Sequence, residues 1–89
     1  MNIQRWKTFS KREQMGHIAA EVLRAQYAEE KGDEATTRAI LERVLELVDA
    51  SLGDKQWRGE FLQLMTLRDE IARRYIGQKV SLQNLYAAF

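Results

Sequence analysis

Apolar positions recur at intervals of three and four along three long stretches of this chain, separated by two short polar breaks. That spacing predicts helices over 10–31, 34–52 and 55–76. Gly32-Asp33 punctuates the first break: glycine suits the left-handed position after a helix, and Asp33 can accept from the free amides of the next first turn. Gly53-Asp54 repeats the device. The middle segment presents Thr37, Ile40, Leu41, Val44, Leu45, Leu47, Val48 and Leu52, the broadest apolar face, and is expected to touch two neighbours. The first segment opens at Ser10-Lys11-Arg12-Glu13, a capping box, and carries a stripe of Met15, Ile18, Ala19, Val22, Leu23 and Gln26. The third buries Trp57, Phe61, Leu64, Met65, Ile71, Ala72 and Tyr75, and ends before Gly77.

The two ends complete the picture. Residues 1–9 place Ile3, Trp6 and Phe9 among polar neighbours, an irregular arm or single turn expected to close one end of the bundle. Ser81 can cap a short helix over 82–88, with Leu82, Leu85, Tyr86 and Phe89 on one face; these dock on their own bundle or on a second molecule. The expected fold is all-α: a single-domain up-down helical bundle of three main helices plus a short C-terminal helix.

Composition narrows the classes. With 45% hydrophobic and 30% charged residues the chain is ordinary globular sequence, and the absence of proline permits long helices. At 89 residues it sits near the size where one core needs help, which favours a homodimer or a protein partner. It has no cysteine, hence no disulfide and no thiolate nucleophile or zinc ligand, and a cytoplasmic location is expected. No apolar run approaches a membrane span or a signal peptide.

Charge is uneven. Residues 1–12 hold Arg5, Lys7, Lys11 and Arg12 and no acid, so that stretch carries +4; with a total of +1, the remainder carries −3. Together with Trp6, those four cations outline an alternative nucleic-acid surface, aromatic stacking alternating with phosphate contacts.

Two polar residues interrupt the apolar stripes. Gln26 and Arg68 each place strong hydrogen-bonding groups among apolar positions, so both need partners; Arg68 is expected to pair with a carboxylate such as Glu21 or to meet an anionic ligand in a groove. Glu29, Glu30, Asp33 and Glu34 cluster at the first turn without the pattern of a calcium loop, and helix capping accounts for them. No metal and no cofactor are expected. His17 is the only histidine, expected on the exposed side of its helix.

Arg12-Glu13-Gln14-Met15-Gly16-His17 is similar to the Arg-x4-6-His motif of HEPN-type ribonucleases. The resemblance implies Arg12 and His17 as catalytic candidates acting on a ribose 2′-hydroxyl and its phosphate, with Glu13 standing where that family carries Asn or Asp. The run Lys31-Gly32-Asp33-Glu34 through Leu41-Glu42-Arg43-Val44-Leu45-Glu46-Leu47 looks like the second half of a tetratricopeptide repeat, which implies a packed helical hairpin. A wider pattern, Trp6, Glu13-Gln14, His17-Ile18, Glu21, Arg24-Ala25, Gly32-Asp33, Leu41-Glu42-Arg43, Trp57-Arg58-Gly59 and Arg68, resembles a group of short, uncharacterised all-helical bacterial proteins. The leading expectation is a non-enzymatic interaction or oligomerisation module; the alternative is nucleic-acid binding or cleavage at the basic end.

Overall fold

The computed structural model describes residues 2–82, and these contain helices and no strand. Helix α1 spans Ile3–Thr8, α2 Lys11–Glu30 and α3 Glu34–Leu52; a 3-10 segment over Lys55–Glu60 leads directly into α4, Phe61–Tyr75. The expected all-helical bundle of three main helices is present. Helix α3 is the middle helix, packed against α2 on one side and α4 on the other, as its broad apolar face requires. Leu41, Val44 and Val48 of α3 are fully buried between Ile18 and Val22 of α2 and Leu64 and Ile71 of α4.

The turns form largely as their residues dictate, except that Gly53 ends α3 in a right-handed conformation, φ −82°, instead of the left-handed cap. Ser10 Oγ accepts from the Glu13 amide at 3.1 Å and Glu13 Oε1 accepts from the Ser10 amide at 3.0 Å, closing the capping box. Gly32 takes φ +74°, and the Asp33 amide donates back to the Ala28 carbonyl at 3.0 Å, ending α2 in a left-handed cap. Asp33 Oδ1 then accepts from the Thr36 amide at 3.1 Å and starts α3. Gly77, φ +97°, ends α4 in the same way, the Gln78 amide reaching the Arg73 carbonyl at 3.0 Å.

Two expectations need correction, one alternative is resolved, and one expectation falls outside the described residues. Residues 3–8 of the arm are helical, because Asn2 caps them: its side chain accepts from the Arg5 amide at 3.2 Å. The third helix does not begin as an α-helix. Its first six residues wind as a 3-10 helix, which advances roughly 20° more per residue than an α-helix. Between Trp57 and Phe61 that adds roughly 80°, enough to turn Phe61 and Met65 outward, 46% and 43% exposed, and to bring Leu67 and Arg74 inward. Helix α2 is rotated relative to the expected stripe: its buried positions are Gln14, Ile18, Val22, Ala25 and Ala28, while Leu23 is exposed. The predicted helix over 82–88, with Leu85, Tyr86 and Phe89, lies outside the described residues except for Leu82, which is buried.

Candidate functional site

Three places gather chemistry, and the first is a polar node under α1. Trp6 is 4% exposed, and its indole Nε1 donates to Ser51 Oγ at 3.0 Å; Ser51 in turn donates to the Leu47 carbonyl at 2.9 Å. Gln14, one turn before Ile18 on the buried face of α2, is fully enclosed. Its Nε2 donates to the Trp6 carbonyl and to Asp54 Oδ2, both at 3.0 Å, and its Oε1 accepts from Trp57 Nε1 at 2.6 Å. Asp54 caps the 3-10 segment through Oδ1 and the Gln56 amide, while Gln56 Nε2 donates to Asp54 Oδ2 and to the Phe9 carbonyl, each at 3.0 Å. The Gln56 amide, then the Gln14 and Gln56 side chains, hold the Asp54 carboxyl below the usual aspartate range. The node ties α1, α2, α3 and the 3-10 segment together, and its polar atoms are committed to one another.

The second place is the far end of the bundle, where the buried cation is Arg74, not Arg68. Its guanidinium donates to both carboxylate oxygens of Glu34, at 3.1 and 3.0 Å, and to Glu29 at 3.3 Å. The two-pronged bond to Glu34 is the first cause raising the Arg74 pKa, and the same contact lowers that of Glu34. An open cleft of about 570 Å3 adjoins it, lined by Glu29, Glu34, Gly77, Gln78, Lys79 and Ser81. Because the guanidinium edge is already turned to two carboxylates, the cleft offers little to an anion.

The expected site residues separate accordingly. Arg68 lies at the border of α4, its side chain 41% exposed, and Nε donates to Asp49 of α3 at 2.5 Å. Gln26 is half-buried on α2 and reaches Glu30 at 3.5 Å. Glu21 bonds Arg24 and lies 3.7 Å from Arg43, so Gln26, Arg68 and Glu21 do not converge. Asp69 and Arg73, four residues apart on α4, form an exposed pair at 3.1 Å, whereas Arg74 pairs across the bundle with Glu34 and Glu29.

At the basic end, Arg12 and His17 are both exposed, and a separation of five residues turns their side chains roughly 140° apart around α2. Ring contacts place His17 against Phe9 and Trp6, at centroid distances of 5.0 and 5.9 Å. Trp6 is withdrawn into the node and Lys11 is paired with Glu60 at 2.7 Å, which leaves Arg5, Lys7 and Arg12 as the exposed cations of that surface.

The third place is apolar. Leu23 and Tyr27 project from α2, 43% and 56% exposed, and Phe61, Leu62 and Met65 project from the start of α4, with Leu62 78% exposed. Among the described residues no cluster of His, Cys, Asp or Glu is arranged to hold a metal, and no helix is long and apolar enough to cross a membrane. No family model matches the chain, and no match was found among the curated proteins or the solved structures, so its own residues carry the functional reading.

Proposed function

We propose that this protein is a small non-enzymatic interaction module of the cytoplasm that works by association through its apolar helix faces. One contrast supports the reading. Its conspicuous buried polar side chains, Gln14, Asp54, Ser51 and Arg74, have their hydrogen bonds satisfied inside the bundle, whereas large apolar side chains stand in solvent on α2 and α4. A reactive site keeps polar groups poised toward a cavity and leaves the surface polar; this molecule has the opposite distribution.

Sedimentation from about 1 μM to 1 mM tests the association reading, a range that spans transient to moderate affinities. A rise in mean mass with concentration is the expected result. A single monomer mass across the whole range overturns self-association as the activity.

A further inference from the structure

Helix α2 has two faces, and folding explains only one. Opposite the buried Ile18, Val22 and Ala25 run Gly16, Ala20, Leu23 and Tyr27, spaced by four, three and four, all exposed. Gly16 sits inside a helix, where glycine is costly, and a Cβ placed on it would meet nothing within 4 Å. Nothing inside the molecule calls for its smallness.

The charges beside this line have a pattern. Arg12 and Glu30 lie on one flank, Glu13 and Lys31 on the other, each roughly 50° from its centre by helical geometry, and all four are exposed. Turning α2 about a twofold axis that passes between Ala20 and Leu23, perpendicular to the helix, keeps each flank on its own side. Gly16 then meets the partner's Tyr27, and Ala20 meets the partner's Leu23. Arg12 faces the partner's Glu30, and Glu13 faces the partner's Lys31. A parallel arrangement would set Gly16 against Gly16 and Tyr27 against Tyr27, a gap at one end and crowding at the other. Size is therefore self-complementary in the antiparallel orientation, and the flanking charges are matched in it.

We propose that α2 pairs antiparallel with α2 of a second copy of this chain, centred between Ala20 and Leu23. This rests on the association reading above and names its surface. A single helix pair buries less than about 1,200 Å2, which places the contact among weak associations. Dimer should therefore accumulate at concentrations on the order of tens to hundreds of micromolar.

The chain has no cysteine, so a single introduced thiol reports position cleanly. At 300 μM, Ala20→Cys should be linked into covalent dimer by a short bis-maleimide, and Thr66→Cys, exposed on α4, should not. Arg12→Glu alone should weaken the dimer several-fold, and R12E with E30R should restore it. Gly16→Leu should raise the thermal midpoint of the fold and weaken the dimer at least tenfold. Linking at position 66 in preference to 20, or a dimer indifferent to both R12E and G16L, overturns this interface and leaves association standing. A monomer throughout overturns both.

Discussion

Gln14 shows how one side chain can hold several elements. It presents a donor and an acceptor in the same enclosed space, and the two tryptophans beside it make use of both: the Trp57 indole donates to its oxygen, and the backbone carbonyl of Trp6 accepts from its nitrogen. Replacing it with leucine keeps the volume but strips Trp57 of this acceptor and Asp54 of a donor. Gln14→Leu should destabilise the fold by about 2–4 kcal/mol, the range for breaking a buried network with partners left behind. Urea unfolding followed by tryptophan emission would show a lower midpoint at unchanged slope; a shift below about 1 kcal/mol would mean the network is not taut. The residue was available to sequence reasoning, because Gln14, Ile18, Val22 and Ala25 share one helical face and two tryptophans need acceptors. Met15 and Leu23 masked it, being more apolar than the alanines that line the true contact. Arg74 escaped notice for a different reason: the 3-10 winding before Phe61 leaves no mark in apolar spacing, so the wheel pointed to Arg68.

At the scale of elements the sequence was more transparent. Helix α3 occupies residues 34–52 as its caps foretell, and Ser10, Gly32 and Asp33 act as punctuation through bonds local enough to be read from neighbouring residues. What could not be read locally is the phase of one helix against another. Two glycines illustrate the distinction and predict opposite outcomes. Gly32→Ala forces a side chain into a left-handed backbone and should cost about 1–2 kcal/mol. Gly16→Ala, in regular helix with open space around it, should add up to about 1 kcal/mol. Thermal melts at low protein concentration, where the chain is monomeric, compare the two directly.

Across the whole molecule, negative charge is placed where the chain changes direction. Glu13, Asp33 and Asp54 sit at starts of helical segments with their carboxyls held low, first by the backbone amide of Ser10, the side chain of Thr36 and the backbone amide of Gln56 respectively; Glu34 is held low first by Arg74. For each, the unfolded state holds the proton more tightly. Their stabilisation is thus complete above the unfolded carboxyl pKa values, roughly 4, and is lost as pH falls through the lower folded values. The melting temperature should stay level from pH 6 to 8 and fall steeply below about pH 4. In Arg74→Met, the acid limb should be shallower, since Glu34 loses its principal partner; an unchanged limb would remove Arg74 from that role. Two ion pairs tie α2 to the continuous stretch of 3-10 segment and α4, Lys11 with Glu60 of the 3-10 segment and Glu29 with Arg74 of α4; they lie at opposite ends of the bundle and hold its parallel outer helices in register.

The hydrogen bond from Trp6 to Ser51 also has a consequence for birth order. Helix α1 is synthesised before α2, α3 and α4, yet the hydroxyl that receives its indole lies 45 positions later. The contacts between α2 and α3 and between α3 and α4 join successive helices and can form as each emerges, while the indole of Trp6 waits for its acceptor until Ser51 is in place. Helix α1 is thus seated only after the helices that follow it have packed.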